Sequence, residues 1–184
     1  MQYTAHYESP LGGILLAADE EGLTGLWFDG EKYYARRLER CHREGSLPAL
    51  EETKRWLDIY FSGREPDFIP PIHMLGSSFE LSVWRMLREI PYGKTTTYGA
   101  LARALAAERG IERMSAQAVG GAVGHNEISV LIPCHRVVGS GGSLTGYAGG
   151  VDKKAALLKL EGADMSGFTI PSKGTAIKSG RVPL

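Results

Sequence analysis

The chain of 184 residues is poor in cysteine, carries no excess charge and has no long apolar run, and each shortage narrows its function. Two cysteines, Cys41 and Cys134, cannot supply a disulfide framework and fit a reducing compartment, so a cytoplasmic location is expected. No apolar run approaches the roughly 20 residues needed to cross a bilayer, so no membrane association is expected. The opening residues Met1 to His6 lack a basic stretch followed by an apolar one, and no signal peptide is expected. Cys41-His42 has no second Cys or His at ligand spacing, so no metal is implied. No Lys-Ser/Thr follows a glycine loop at P-loop spacing, and no G-x-G-x-x-G opens a helix. No cofactor is expected, and no internal repeat is present.

The zero net charge hides an asymmetry. Residues 1–78 hold 8 Lys+Arg against 13 Asp+Glu, net −5, whereas residues 79–161 hold 10 against 7, net +3. The basic half is compatible with a local phosphate-facing surface.

Apolar clusters at Tyr3–Tyr7, Ile14–Ala18 and Leu23–Phe28, separated by Gly- and Pro-containing turns, predict three short antiparallel strands. The charged stretch 31–41 predicts a short surface helix. Leu50 to Phe61 predicts a second, stopped by Ser62-Gly63. Three prolines between Pro66 and Gly76 mark a connection between two halves. Beyond it, Val83, Leu87 and Ile90 recur at helical spacing and place Trp84 in a core. Thr97 and Ser115 are positioned to cap two further helices, about Tyr98–Ala107 and Ala116–Gly124, which together read as a helix-turn-helix. Gly120, Gly121 and Gly124 inside the second of these each cost about 1 kcal/mol relative to alanine, so a bare backbone there serves close approach of a groove or a helix. A final helix is expected over Val151–Leu160.

The stretch around Cys134 concentrates the chemistry. Ser129-Val130-Leu131-Ile132 is short and β-branched and predicts a buried strand, which Pro133 ends. A thiol follows at once, then the glycine-rich loop 139–150. Buried cysteine is usually a small hydrophobe; attack requires the thiolate, which a cationic or proton-accepting neighbour such as His135 or Arg136 favours.

The string IPCHRVV, preceded by AVGGAVGHNEISVL and followed by GSGGSLTGYAGG, resembles the O6-alkylguanine-DNA alkyltransferase (methylated-DNA–protein-cysteine methyltransferase) family. The likeness runs from about Phe79 to Gly162 and includes IPYGKTTTYGALA and VDKKAALLKLEG in register. It implies an α/β protein with a ribonuclease H-like antiparallel sheet and helix in residues 1–76. A mainly helical, winged-helix-like part with the helix-turn-helix would span 77–170; the remaining 171–184, rich in Gly, Ser, Pro and Lys with little to bury, is expected from its composition to be a mobile tail. It also implies DNA repair by single-turnover transfer of an alkyl group from O6-alkylguanine to Cys134, with O4-alkylthymine left open as a substrate. The damaged base must leave the stack for its alkyl carbon to be reached. The implied partner is double-stranded DNA held through its minor groove, and the implied state is a monomer. Matched position by position, Cys134 is the nucleophile, His135 draws its proton through a water, Glu161 orients the imidazole, and Asn126 braces the preceding turn. Tyr98 meets the extruded base or its phosphate. Tyr147, Ala148 and the carbonyls of Cys134 and Val137 close on the guanine, and Ser140 contacts backbone or phosphate.

One position departs from the family pattern: Gln117 stands where many relatives carry an arginine that fills the space left by the extruded base. Two other functional classes compete. A cysteine hydrolase would turn over and leave the helix pair unexplained; a non-catalytic binder of alkylated DNA would not need Cys134.

Overall fold

Short alternating strands and tight turns build the first half of the chain, in a computed structural model that describes residues 1–171. Strands β1 (Tyr3–Ser9), β2 (Gly12–Ala18) and β3 (Leu23–Phe28) run antiparallel, with Tyr3 opposite Ala18 and Ile14 opposite Phe28. Gly12, at φ 107°, makes the first hairpin turn that a side chain would strain. A two-residue strand β4 (Arg43–Glu44), not foreseen in the sequence, joins β1 in parallel and gives the order β3-β2-β1-β4. Helix α1 (Pro48–Phe61) starts on a proline that fits its first turn and buries Leu50, Trp56, Leu57 and Tyr60 on the side facing the sheet.

The helix expected over 31–41 does not form. That segment is a chain of turns with Tyr33 at φ 65° and Ala35 at φ 50°, left-handed values that no α-helix contains. Its charges are directed elsewhere: Arg36 and Arg37 reach Glu80 and the buried Glu127. Tertiary ion pairs there outweigh local helical preference.

The second half is mainly helical. Helix α2 (Ser78–Arg88) begins with a complete capping box between Ser77 and Glu80. Trp84 is buried and its indole donates to Ala122 O at 2.8 Å. A short strand β5 (Thr96–Thr97) leads into helix α3 (Tyr98–Glu108), capped by Thr97; helix α4 (Ala116–Gly124) is capped by Ser115. These two helices pack on each other and on α2. Strand β6 (Val137–Val138) pairs in parallel with β5, and helix α5 (Val151–Leu160) closes the described part. The mobile tail expected over 171–184 falls, apart from Pro171, outside the described residues.

Strand β3 lies at the sheet's edge, yet all six of its residues are buried. Two pieces of the later chain cover it. Pro71 O accepts from Leu23 N and His73 N donates to Leu23 O; further along, Glu127 O accepts from Leu26 N and Ser129 N donates to Leu26 O. The segment that leads to Cys134 is therefore hydrogen-bonded to the N-terminal sheet.

That same segment corrects a second expectation. Ile128, Val130 and Ile132 are buried as a strand reading requires, but Ser129–Ile132 is turn, with only Ile128 bridging to Leu26. Leu131 N donates to Ser129 O around Val130, whose φ of 70° is rare for a β-branched residue. This is a γ-turn of the strained, positive-φ kind. Cys134 N donates to Ile132 O around Pro133 at φ −80°, ψ 63°, an inverse γ-turn.

Leu57 is fully buried where α1 meets the sheet. Leu57→Ala is expected to lower stability by about 3 kcal/mol through lost transfer energy and the residual cavity. Urea unfolding with an unchanged m-value checks it.

Candidate active site

Cys134 is the first residue of a single 3-10 turn, Cys134–Arg136, and is 5% exposed. The turn is fixed from the side of Asn126, which is itself buried. Asn126 Nδ2 donates to Ile132 O at 2.8 Å, to Ile128 O at 3.3 Å and to Cys134 Sγ at 3.1 Å, while its Oδ1 accepts from Ile128 N at 3.1 Å. One amide thus satisfies the backbone of the turn and places a donor on the sulfur. Burial pushes the Cys134 thiol up to about 11; the Asn126 hydrogen bond opposes that shift, Glu31 adds to it and Lys154 opposes it. A thiolate formed here needs a proton acceptor close by.

His135 is fully buried. Its Nε2 lies 2.6 Å from Glu161 Oε1. Burial alone would raise the Glu161 carboxyl, but His135 and Arg136 outweigh it and hold the group well below the usual carboxylate range. An ionised carboxylate only accepts, so Nε2 carries the proton and neutral His135 keeps its lone pair on Nδ1. Nδ1 is buried with no hydrogen-bond partner among the described residues. Burial lowers the His135 pKa, against the pull of Glu161, and so favours that neutral form. The imidazole is therefore set to receive a proton on the nitrogen away from Glu161.

Arg136 does not serve the sulfur. Its guanidinium donates to Glu161 through Nε at 2.8 Å and Nη2 at 3.0 Å, and to Ile90 O through Nη1 at 2.6 Å. Glu161 also accepts from Gly93 N at 3.0 Å and from the Tyr60 hydroxyl at 2.7 Å.

Among the residues expected to meet substrate or DNA, several converge. Val137 is buried on β6, and its carbonyl accepts from Lys154 Nζ. Tyr98, half-buried at the start of α3, donates its hydroxyl to Thr145 O at 3.0 Å. Tyr147 is buried, its hydroxyl without a partner among the described residues. Ala148 is half-buried and its carbonyl accepts from Lys32 N at 3.0 Å. Gly146 runs so close to Tyr98, at φ 76°, that an added Cβ would lie 2.4 Å from the hydroxyl. Gln117 stands apart, exposed on the first turn of α4, and Ser140 is exposed at the start of the glycine-rich loop. A Cβ on Gly121 or Gly124 would meet nothing within 4 Å, and one on Gly120 only the Tyr98 ring at 3.6 Å, so the bare face of α4 is not needed for helix packing.

Three buried groups escaped the sequence reading. Lys154 is fully buried, bridges Val137 O and Thr145 O, and is pushed down to about 8 by burial, against the pull of Cys134. Its signal was present: a lysine on the α5 face that also carries Val151 and Leu158. Glu31 is buried and raised by burial to about 8. Tyr60 sits among the apolar residues of α1, where nothing in the sequence separates it from a core aromatic.

A buried thiol, a neighbouring residue whose imidazole is held by a carboxylate, and a helix-turn-helix in the same half of the chain are the parts that a DNA-handling thiol protein would need. Comparison with known proteins narrows the class. Residues 78–163 match the model of the 6-O-methylguanine DNA methyltransferase DNA binding domain, and residues 2–74 that of its ribonuclease-like domain. The chain belongs to this family. Similar proteins include the methylated-DNA–protein-cysteine methyltransferase of Methanosarcina acetivorans, 43% identical over 88% of this chain and 99% of the relative. That of Haemophilus influenzae is 38% identical over 86% of both. The Mycobacterium tuberculosis OGT crystal structure in complex with DNA superposes with a TM-score of 0.74 at 36% identity, covering 86% of this chain and 92% of the other.

Because Glu161 is depressed, it stabilises the fold above the unfolded carboxylate pKa of about 4.3, and that stabilisation is lost as pH falls below it. Glu161→Gln leaves Arg136 buried without its counter-charge and is expected to cost about 3 kcal/mol at pH 7. The gap to the parent should narrow progressively as pH falls below about 4 in denaturant titrations run across pH.

Proposed function

We propose that the protein repairs alkylated DNA by transferring the alkyl group of O6-alkylguanine irreversibly to its own Cys134. The single observation that carries this reading is the constellation at the turn: Asn126 on the sulfur, and an imidazole whose Nε2 is held by Glu161 while Nδ1 is uncommitted. The thiol proton passes to Nδ1 through a water. The sulfur then attacks the alkyl carbon, an S–C bond forms as the C–O6 bond breaks, and the guanine leaves with the bonding pair and takes up the proton that the imidazolium gives back through the water. Among the described residues nothing in the site is arranged to cleave a thioether, so each molecule reacts once.

Buried as it is, Cys134 can be reached only by a base rotated out of the duplex. The bare face of α4, with Gly121 and Gly124 open, suits approach to the minor groove, where shape and phosphate contacts dominate. Val137 O, Tyr147 and the Ala148 region enclose the base. Tyr98, tied to Thr145 O, lies between α3 and the loop that closes on it. The protein acts as a monomer in a reducing cytosol. A hydrolase reading finds no support in a helix-turn-helix beside the thiol, and a purely binding role leaves the relay without a task.

Intact mass after incubation with an O6-methylguanine oligonucleotide should show one methyl in place of one thiol proton, mapped to Cys134, and Cys134→Ala should gain none. Repeated turnover by unmodified protein would refute the reading.

Gln117 can wedge and hydrogen-bond but cannot stack as a cation. Gln117→Arg is therefore expected to speed transfer from duplex DNA about two- to fivefold. Single-turnover rates decide it, and equal rates would dispose of the idea.

A further inference from the structure

The relay residues His135 and Glu161 belong to the helical half, but one of the groups that hold them does not. Tyr60, on α1 of the sheet-bearing half, is fully buried and aims its hydroxyl at the pair. It donates to Glu161 Oε1 at 2.7 Å and lies 3.5 Å from His135 Nε2. The ring cannot swing away. It is stacked on Trp56 at 5.1 Å and 12°, and meets the edges of Phe61 at 5.4 Å and Tyr92 at 6.1 Å. A phenol packed on several sides, with its one polar atom on the relay carboxylate, is placed more narrowly than core filling requires.

We propose that Tyr60 is a positioning residue for the transfer reaction: its hydroxyl fixes Glu161 Oε1 against His135 and tempers the carboxylate's pull on Nε2–H, so that the imidazole stays neutral, with Nδ1 free, until it takes the thiol proton. The inference rests on the alkyl-transfer reading given above. Oε1 is the oxygen shared by three donors, His135 Nε2, Tyr60 and Arg136 Nη2, whereas Oε2 serves Arg136 Nε and Gly93 N. When His135 takes the thiol proton, the Nε2 proton is drawn toward Oε1. A phenolic O–H already on that oxygen makes it a poorer proton acceptor, and the positive charge stays on the imidazole. Burial first, and then the Glu161 charge, carry the Tyr60 phenol well above its ordinary pKa, so it remains a donor throughout the working range. The ionisable groups facing it are Glu161 at the end of α5, His135 and Arg136 in the 3-10 turn, Tyr92 in the loop before β5, and Tyr147 in the glycine-rich loop.

The test compares the full-length parent with Tyr60→Phe, which removes one oxygen and leaves the ring. Three measurements are made: the single-turnover rate with an O6-methylguanine duplex across pH, affinity for unmodified duplex, and the His135 ring nitrogens by long-range 15N–1H spectra. Expected are duplex affinity within about twofold and a rate lower on the order of tenfold, the loss of one hydrogen bond to a charged group. The acid limb of the pH profile should move up, because Glu161 stripped of a donor holds the imidazolium more tightly, and the spectra should show the doubly protonated His135 ring persisting to higher pH than in the parent. An unchanged rate, or a slower rate with the parent's pH profile and spectra, overturns the proposal. If the variant fails to fold, the parent's Tyr60 hydroxyl proton decides: a slowly exchanging resonance with a through-space contact to the His135 ring supports the assignment, and a freely exchanging hydroxyl overturns it. A parent that takes no methyl defeats the transfer reading, while the histidine spectra of parent and variant still report on Tyr60.

Discussion

The carboxylate of Glu161 is the point on which the arrangement depends. It accepts from His135, from Arg136 twice, from Gly93 N and from Tyr60, and these donors come from a 3-10 turn, the loop before β5 and the N-terminal helix. A buried anion without such partners would be too costly to keep ionised. With them it stays charged, and its charge decides which nitrogen of His135 can take a proton. These hydrogen bonds orient His135, and the one from Tyr60 also ties the N-terminal helix to the helical half.

A second join works through the backbone. The exposed edge that β3 would otherwise present is covered by Pro71–His73 and by Glu127–Ser129, so the sheet is extended by residues shortly before Cys134. Side chains reinforce the join: Arg36 and Arg37 reach across to Glu80 and Glu127, and burial of Glu80 is more than offset by its donors, which hold it at about 2. The turn segment 31–41 is irregular because its arginines must meet acids on another element. Local helix propensity of a few tenths of a kcal/mol per residue does not compete with several charge-assisted hydrogen bonds.

The two misread stretches share a cause. Ile128, Val130 and Ile132 carry the burial and branching of a strand, yet their backbone groups are satisfied by an asparagine side chain and by γ-turns rather than by a ladder. Burial pattern reports where side chains go, not how the backbone is paired. Helices were more legible, since α1, α2, α3, α4 and α5 each carry apolar spacing or a cap that acts over a few residues. Lys154 and Tyr60 were hidden for the reverse reason, because their roles depend on partners 9 to 101 positions away.

The sequence by itself determined helices α1 to α5 and the caps of α3 and α4, the three antiparallel strands, the family likeness and the identity of the thiol, imidazole and carboxylate that the likeness implies. Only the tertiary structure decided that Arg136 serves Glu161 rather than the sulfur, that Lys154 bridges two carbonyls near Cys134, and that Tyr60 reaches the His135–Glu161 pair from the other half. The physical reason is range. Caps and periodicity act within a few residues, whereas a buried charge is satisfied by whatever donors the completed fold brings to it.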